Sequence, residues 1–515
     1  MSEAGTAAQA PKSFTQKLLD GVERVGNKVP HPVVIFVLLI GLVVVMSHLL
    51  YLLGTSVAYQ VLNPETHELE DASASVRSLL TLEGIRFMFT SVVQNFMNFN
   101  AVGVIIVAMV GVGVAEEAGL VKTLIRKLVM VSPRWALTYI LVFVGIVSSI
   151  AADAGYLVLI PLAAAAFISV GRHPLAGLAA SFAGVASAFG VNILIKPLDG
   201  ILTEITNDAI HLLNPNVSID LTANMWFSMA SVVLLTVVIS VITERIVEPR
   251  LGAYAGEEST QEGAGISPDE ARGLRYANYG LLAVIVLFAV LTVPAGAPLR
   301  NPETGAIIGN SPLMNGLIVA ITVLFLVMGV GYGIGARTIK NVTDVINAMV
   351  KTIGGLAGLI FLLLVISQFL AYFNFTNMAT VIAVKMADAL QNANLDALWL
   401  LIGFVIVVAV LDIIITGAIP KWAIFAPIFV PLLMKLNVAP EAVLAAYRVG
   451  DSPMNAVTPL NAYFALIVTF AQKYQKDAGV GTVVALMLPY VAIIFVVWTI
   501  LLAVWHLLGL PWGLG

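Results

Sequence analysis

Polar and charged side chains interrupt an otherwise apolar sequence in the stretch Ala445–Phe464, AAYRVGDSPMNAVTPLNAYF. Lipid cannot hydrogen-bond such groups, so a membrane protein keeps them only where protein or a water-filled cavity receives them. Arg448 and Asp451 are three residues apart, so on a helix they share a face and can form a structural ion pair. Alternatively, the guanidinium binds a substrate carboxylate, while Asp451 tunes it or binds a coupling ion. The stretch predicts a substrate or ion site, with the ion pair as the alternative.

Prolines divide the helix that this stretch would otherwise form. The segment begins at Pro440, and both Pro453 and Pro459 remove a backbone donor further along. Asn455 and Thr458 offer polar groups where the backbone is freed. Discontinuous membrane helices of this kind bind substrates and ions in many secondary transporters. We therefore predict a broken helix with these side chains beside the bound substrate or ion.

Three acidic residues lie within or close to apolar segments. Asp153 lies between two long apolar arms, where an ionised carboxylate is costly unless a proton or a cation accompanies it. It is a candidate proton or Na⁺ carrier, and the alternative is a carboxylate that caps a hairpin turn. Asp199 is either a second carrier or a solvated residue at a helix end. Asp412 is expected to pair with a neighbouring helix.

A second helix break is predicted in the run AFGVN, which contains Gly190 and Asn192. Glycine permits unwinding, and freed carbonyl groups with the Asn192 amide suit a hard cation or a substrate. A hydrogen bond between helices is the alternative role of Asn192. If the helix continues, Asp199 lies two turns along the same face. Apart from a possible Na⁺ near Asp153, Asn192 and Asp451, no cofactor is predicted.

Trp422 lies at the tip of a second apolar hairpin, beside Lys421. Its ring offers an aromatic surface for a ring-bearing substrate, or serves in packing or as an interfacial anchor. Lys421 either attracts anions or extends its ammonium group to the membrane surface.

Composition identifies the class of protein. Hydrophobic residues make up 59% of the 515 residues and charged residues only 11%, with a mean hydropathy of +0.98. Most charge-free runs exceed the roughly 20 residues that a spanning helix needs. The chain has no cysteine, which excludes disulfides and thiolate metal sites. It carries neither a Walker A nor a G-x-S-x-G element, and we predict no enzyme activity.

The predicted fold is an all-α polytopic membrane protein with nine transmembrane helices and two opposed re-entrant hairpins. Its segments are a cytoplasmic N-terminal segment (1–31), a first half (32–246) with hairpin 1 at about 135–171, a cytoplasmic linker (247–276), and a second half (277–515) with hairpin 2 at about 397–436. Two full spans joined by a one-residue turn are the alternative to hairpin 1. Basic residues place the N-terminus in the cytoplasm and therefore the C-terminus in the periplasm.

Separate predictions apply to three further segments. The acidic stretch at roughly 54–83 is expected to be an external loop. The second helix, 87–115, is expected to break or bend near its asparagines. The amphipathic stretch 338–352 is expected to form a helix at the membrane interface or against a neighbouring helix.

The two halves resemble each other. PLAGLAASFAG (174–184) and PEAVLAAYRVG (440–450) align without gaps, and each follows a hairpin candidate. The same alignment pairs Asn192 with Thr458. Because the first hairpin enters from the inside and the second from the outside, the repeat is expected to be inverted, as in many secondary transporters.

Four runs resemble the AbgT family of aminobenzoyl-glutamate transporters. They are SSIAADAGYLVLIPLAA (148–164), GRHPLAGLAASFAG (171–184), KWAIFAPIFVPL (421–432) and the stretch at 445–464. The resemblance implies a homodimer in the bacterial inner membrane, each subunit having nine helices and two opposed hairpins. It also implies uptake of p-aminobenzoyl-glutamate, a folate breakdown product, or export of sulfonamide antimetabolites driven by the proton-motive force. Sodium has been linked to the family's site.

The resemblance also implies which residues function. The functional positions of the family correspond to Trp422, Pro440, Arg448, Asp451 and Pro459 in this sequence. Its first-half aspartate matches Asp199, with Asp153 as the other candidate. Ile419 stands where relatives commonly carry a serine, which removes a hydroxyl at the tip of hairpin 2.

The sequence therefore predicts a secondary active transporter for aromatic amides with carboxylates, or for sulfonamides, driven by a proton or Na⁺ gradient. A Na⁺-coupled dicarboxylate carrier of similar architecture is the first alternative, and a passive channel is the second. The expected partners are the small-molecule substrate, membrane lipid and a second copy of the chain, without nucleic acid.

Overall fold

Helices dominate the computed structural model of the chain. The structure describes residues 32–62, 69–130, 132–150, 155–254, 265–308, 311–382, 384–385, 396–412, 417–459, 461 and 463–514. Within these ranges, eight helices are long and apolar enough to cross a membrane. A ninth span results if the segments Leu120–Met130 and Arg134–Ile150, which meet at 118°, count as one. The prediction of a polytopic helical membrane protein is confirmed.

The first half contains ten helices and one pair of strands in its described part. They are α1 (Pro32–Leu52), β1 (Ser56–Leu62), β2 (Leu69–Ser75), α2 (Leu82–Thr90), α3 (Val92–Met97), α4 (Asn100–Glu117), α5 (Leu120–Met130), α6 (Leu137–Val147), α7 (Ile160–Ser169), α8 (Pro174–Phe182), α9 (Pro197–Ile210) and α10 (Met225–Ile242). A short helix, α11 (Glu248–Leu251), follows α10 through a π-helical turn.

The second half is helical throughout its described elements. Its described helices are α12 (Pro268–Thr292), α13 (Pro312–Asn315), α14 (Leu317–Ala336), α15 (Val342–Gly355), α16 (Ala357–Phe375), α17 (Ala397–Asp412), α18 (Ala418–Lys435), α19 (Pro440–Met454), α20 (Phe464–Gln472) and α21 (Val480–Leu507). The amphipathic stretch 338–352 forms α15, so that helix is confirmed.

The all-α prediction is wrong in one place, because part of the expected external loop at 54–83 forms a β-hairpin. Strands β1 and β2 pair antiparallel, with Ser56 opposite Ser75 and Leu62 opposite Leu69. The strand sequence SVAYQVL alternates larger apolar residues with small or polar ones, which is a strand pattern. The prediction of an external loop depended on the acidic residues of this stretch and did not use the alternation.

The predicted linker 247–276 is helical at both of its described ends. Helix α11 occupies its start, and α12 begins at Pro268. Ser267 caps α12 by accepting a hydrogen bond from the Glu270 N–H, and the Glu270 carboxylate accepts one in return from Ser267. This reciprocal cap starts a helix in a polar stretch that composition alone assigns to a linker.

The second transmembrane segment is broken near its asparagines, as predicted. Helix α2 ends at Thr90, α3 ends at Met97 and α4 begins at Asn100. The Asn95 amide donates to the Gln368 side chain at 2.9 Å, so a partner on α16 receives one of the polar groups of this segment.

Two helix breaks form the centre of the molecule. Helix α8 continues through a π-helical turn to Ser187, and α9 starts only at Pro197. Helix α19 ends at Met454, and α20 starts at Phe464. Each break is preceded in the chain by a helix pair, namely α6–α7 and α17–α18, and residues 151–154 and 413–416 of the two connections lie outside the described part of the chain.

Glycines at matching positions of the two halves permit close helix packing. A Cβ atom on Gly184 would lie 2.8 Å from the Val142 carbonyl oxygen on α6. A Cβ atom on Gly450 would lie 2.6 Å from the Val405 carbonyl oxygen on α17. Small residues of this kind let membrane helices approach at the backbone. Both glycine-bearing helices therefore pack on the first arm of their own hairpin candidate.

We expect Gly450→Ala to lower the free energy of unfolding by about 1–3 kcal/mol, because the new methyl group must push α19 away from α17. Gly403→Ala on α17 is the matched control, since no other atom lies within 4 Å of its added Cβ. That change is expected to be neutral or stabilising, because alanine favours helices over glycine. Thermal unfolding in detergent measures the stability of both variants. If Gly450→Ala is as stable as Gly403→Ala, close packing at Gly450 does not contribute to stability.

Candidate substrate and ion site

The two helix breaks and both hairpin candidates line one cavity of about 550 Å³. Hairpin 1 contributes Ser149 and Ile150, and the start of α18 contributes Ala418, Ile419 and Pro420. The first helix break contributes Phe189 and Lys196, and the second contributes Asn455, Asn461 and Tyr463. The cavity is large enough for a small organic ligand.

Aromatic rings form part of this cavity wall. The rings of Tyr156 and Tyr463 stack with centroids 4.3 Å apart and planes inclined by 12°. Phe189 lies on the wall as well. A planar ligand ring can stack on such side chains, which keep little conformational freedom once packed. The cavity thus suits a molecule that contains an aromatic ring.

Arg448 is buried and pairs with Asp199 at 2.6 Å, from Nη1 to Oδ1. The same nitrogen donates to the Gly190 carbonyl oxygen at 2.7 Å, and Nε donates to Asn224 Oδ1 at 3.1 Å. The alternative to substrate binding, an ion pair between Arg448 and Asp451, is therefore wrong. Residues three apart on a helix differ by about 60° in direction, so they can face different neighbours.

Asp199 lies in the first turn of helix α9, which does not continue the helical segment before Asn192. Its second oxygen accepts a hydrogen bond from the Lys196 N–H at 2.9 Å, which caps α9. The placement of Asp199 two turns along the face of Asn192 is wrong, because Pro197 opens a new helix. A small polar pocket of about 20 Å³ contains Asn192, Asp199 and Arg448 together.

Asn192 holds the first break against the first arm of hairpin 1. Its amide donates to the Val147 carbonyl oxygen and to Ser149 Oγ, both at 3.0 Å. Its side-chain oxygen accepts from the Leu194 N–H at 3.1 Å. The structure therefore places Asn192 in the hydrogen bond between segments that was the alternative to ligand binding.

Gly190 allows a close approach between the two helix breaks. Its N–H donates to Ser452 Oγ at 2.9 Å, and an added Cβ would overlap that hydroxyl. The same Cβ would lie 3.2 Å from Arg448 Cβ. A side chain at this position would separate the first break from α19.

A buried ionic cluster lies between α17, α18 and α19. Lys421 pairs with Asp412 and also with Asp451, the second pair at 2.5 Å. All three side chains are at most 3% exposed. Tyr447 adds a hydrogen bond to Asp451 at 3.0 Å. The prediction that Asp412 pairs with a neighbouring helix is confirmed, and extension of Lys421 to the membrane surface is wrong.

Trp422 lies in the packed core next to this cluster. Its ring is buried against Tyr447, with centroids 4.6 Å apart. Its N–H donates to the Leu202 carbonyl oxygen at 3.2 Å and to Thr206 Oγ1 at 3.0 Å. Trp422 thus joins α18 to α9 in this conformation and does not line the 550 Å³ cavity.

The remaining predicted residues lie in or near the second break. Asn455 lines the cavity, and its amide donates to the Asp451 carbonyl oxygen at 3.2 Å. Thr458 is buried, and Pro459 lies within the break. Pro440 takes the first helical position of α19. Asp153 lies outside the described residues.

The predicted Na⁺ does not fit beside Asp451, because the Lys421 ammonium group already takes the position of a cation there. Asn192 has both of its polar atoms in protein hydrogen bonds. Within the described part of the chain, no group of three or more His, Asp or Glu side chains is placed to hold a metal ion. Asp451 and Asn192 therefore do not form a Na⁺ site in this conformation.

Sequence reasoning missed the position of Lys196 and the identity of the residue that pairs with Asp412. Lys196 lines the cavity, although no role was predicted for it. The pair Asp412–Lys421 spans the tip of hairpin 2, where the two residues lie close to the turn on opposite arms. The hairpin prediction itself places them opposite each other, so that signal was present.

The chain is similar to known membrane transport proteins over nearly its whole length. A p-aminobenzoyl-glutamate transport protein of Escherichia coli (strain K12) is 35% identical over 504 residues, covering 98% of this chain and 97% of that protein. The YdaH transporter of Alcanivorax borkumensis, described as having an unusual topology, superposes with a TM-score of 0.87 at 38% identity, covering 94% of this chain and all of the other.

A second solved structure is similar over a slightly larger share of the chain. Neisseria gonorrhoeae MtrF, described as illuminating a class of antimetabolite efflux pumps, superposes with a TM-score of 0.90 at 39% identity. The match covers 97% of this chain and 99% of MtrF. The model of the AbgT putative transporter family matches residues 17–515. This chain, a multi-pass membrane protein, therefore belongs to the AbgT putative transporter family.

Proposed function

We propose that this protein is a secondary active transporter of p-aminobenzoyl-glutamate-like folate catabolites and of sulfonamide antimetabolites across the bacterial inner membrane. The observation that carries the proposal is the 550 Å³ cavity between the two helix breaks. Its aromatic wall suits the benzene ring that both substrate classes share. Its polar groups suit their amide, sulfonamide and carboxylate groups.

The proposed coupling uses the ion pairs beside the cavity. Asp199 neutralises Arg448, so a proton on the carboxylate would weaken the pair that joins α9 to α19. Helix α9 belongs to the first half and α19 to the second half. Protonation of Asp199 would therefore weaken a contact between the halves and allow them to move relative to each other. The Lys421 ammonium group already neutralises Asp451, so we expect neither a proton nor Na⁺ to bind at that carboxylate. Asp153 remains the position where we propose that either ion binds.

The proposed architecture has nine transmembrane helices and two opposed re-entrant hairpins in an inverted repeat. The packing of Gly184 on α6 and of Gly450 on α17 supports the repeat. If the same offset is extended beyond the aligned run, it pairs Gly155 with Lys421 and Val185 with Asp451. An added Cβ on Gly155 would lie 3.0 Å from Val185 Cγ2, so both halves bring these positions together. Only the second half carries charges there.

The proposal extends to assembly and orientation. Family membership supports a homodimer in the inner membrane, with the N-terminus cytoplasmic and the C-terminus periplasmic. The hairpins would then open the cavity to one side of the membrane at a time. Cross-linking in membranes and cysteine labelling of the naturally cysteine-free chain test both statements.

Flux in proteoliposomes with a substrate panel tests the proposed function. We expect saturable transport of p-aminobenzoyl-glutamate and of sulfonamides, and little transport of succinate, which has two carboxylates and no ring. Preference for succinate would favour a dicarboxylate carrier. Non-saturable equilibration of every small solute would favour a passive channel.

A further inference from the structure

Lys196 places a positive charge in the wall of the 550 Å³ cavity. Its side chain is only 1% exposed. The ammonium group donates to the Phe189 carbonyl oxygen and lies 3.4 Å from Ser149 Oγ. It also lies 4.8 Å from the centroid of the Phe189 ring. Among the described residues that line the cavity, Lys196 is the one with a formal charge.

The charge of Lys196 lacks an acidic partner within the described part of the chain. No described carboxylate oxygen lies within 4 Å of its ammonium nitrogen, and its polar neighbours there are neutral oxygens. Asp199, which caps the same helix, is already paired with Arg448. A buried charge is unfavourable unless a counter-charge approaches it. An anionic ligand in the cavity would supply that counter-charge.

Arg448, the residue that the sequence suggested for anion binding, is engaged elsewhere. Its guanidinium group contacts Asp199, the Gly190 carbonyl oxygen and Asn224, and it does not line the 550 Å³ cavity. Ile419 does line the cavity, but its side chain is apolar and offers no hydrogen-bonding group. Lys196 is therefore the main candidate for binding an anionic group of a ligand in the cavity.

We propose that Lys196 binds the anionic group of the substrate, so that the cavity selects carboxylate-bearing aromatic ligands over neutral aromatic ones. The inference rests on the proposed function and adds a specificity residue to it. The ligand ring stacks in the aromatic part of the cavity near Phe189 and Tyr463, while a carboxylate meets the ammonium group. Arg448 acts as a positioning residue that holds the two helix breaks together.

The test compares Lys196→Gln with Lys196→Arg for two ligands. p-Aminobenzoyl-glutamate carries two carboxylates, and sulfanilamide shares the aminobenzene ring but is uncharged at pH 7. We expect Lys196→Gln to raise the KM and the Kd of p-aminobenzoyl-glutamate roughly 10- to 100-fold, the range of a hydrogen bond to a charged group. The corresponding change for sulfanilamide is expected to be several times smaller. Lys196→Arg is expected to recover most of the selectivity.

Two results would overturn the proposal. Equal losses for both ligands in Lys196→Gln would assign the residue to folding or gating, and unchanged affinity for both would leave it without a role in binding. The Kd values are measured on purified wild-type and variant proteins in detergent by calorimetry. If the wild type binds p-aminobenzoyl-glutamate but transports neither ligand, the proposed function fails while the binding comparison still decides the role of Lys196.

Discussion

Lys421→Met is expected to lower the free energy of unfolding by about 3–5 kcal/mol and to abolish transport. The change removes the cation that lies between Asp412 and Asp451, both of which are buried. Removing one partner from a buried ion pair leaves an uncompensated charge, and that loss is strongly destabilising. Two carboxylates would then face each other between α17, α18 and α19. Thermal unfolding in detergent and flux in proteoliposomes measure the two effects.

The double variant Asp412→Asn with Lys421→Met is the matched control. It restores the net charge of the cluster to the wild-type value of one negative charge, because one acid and one base are both removed. We expect it to be more stable than Lys421→Met alone. If the double variant is as unstable as the single variant or less stable, the charges of the cluster do not balance each other as the geometry indicates.

Asp199→Asn is expected to reduce gradient-driven transport at least tenfold while the protein stays folded. The Asp199 carboxylate accepts from Arg448 with one oxygen and from the Lys196 N–H with the other, and asparagine keeps one of these two acceptors. Arg448 retains its hydrogen bonds to the Gly190 carbonyl oxygen and Asn224, and Pro197 still starts α9, so we expect the fold to survive. Asparagine cannot release or take up a proton as a carboxylate does, so the coupling step is lost. Asp153→Asn is expected to have the same effect.

Uptake under an imposed pH gradient measures these two variants against Glu303→Gln, which changes an exposed acid that does not line the cavity. The control variant is expected to transport like the wild type. Size-exclusion profiles in detergent show whether each variant is folded. Wild-type rates in both aspartate variants would refute the role of these residues as proton carriers.

Helical periodicity and charge distribution predict most of the fold. The apolar runs give the spanning helices directly, and Gly184 and Gly450, which the sequence alignment pairs, each pack closely on a neighbouring helix. The β-hairpin at 56–75 was missed because acidic side chains dominate that stretch, whereas strand formation depends on its apolar alternation. Pairing between distant strands is not visible in local charge.

The partners of the charged residues were harder to predict. Sequence spacing places Arg448 and Asp451 on one helix face, but the helix packs between different neighbours, so Arg448 meets Asp199 and Asp451 meets Lys421. The ion-pair partners of Arg448 and Asp451 depend on the positions of α9 and α18, which the tertiary packing determines. Spacing along one helix supplies only a candidate pair.

The break before α9 shows the same limit. Pro197 marks the start of a helix, but the sequence does not show that the Lys196 side chain turns into a cavity. Its direction follows from the non-helical segment between Ser187 and Pro197. Such segments have no fixed periodicity from which a side-chain direction can be derived.

Accumulation of labelled p-aminobenzoyl-glutamate in proteoliposomes, with the pH gradient and the Na⁺ gradient imposed separately, tests the central claim most directly. We predict accumulation above the external concentration when the pH gradient is imposed, its collapse when a protonophore is added, and little response to Na⁺ alone. Equilibration to the external concentration under both gradients would contradict secondary active transport by this protein.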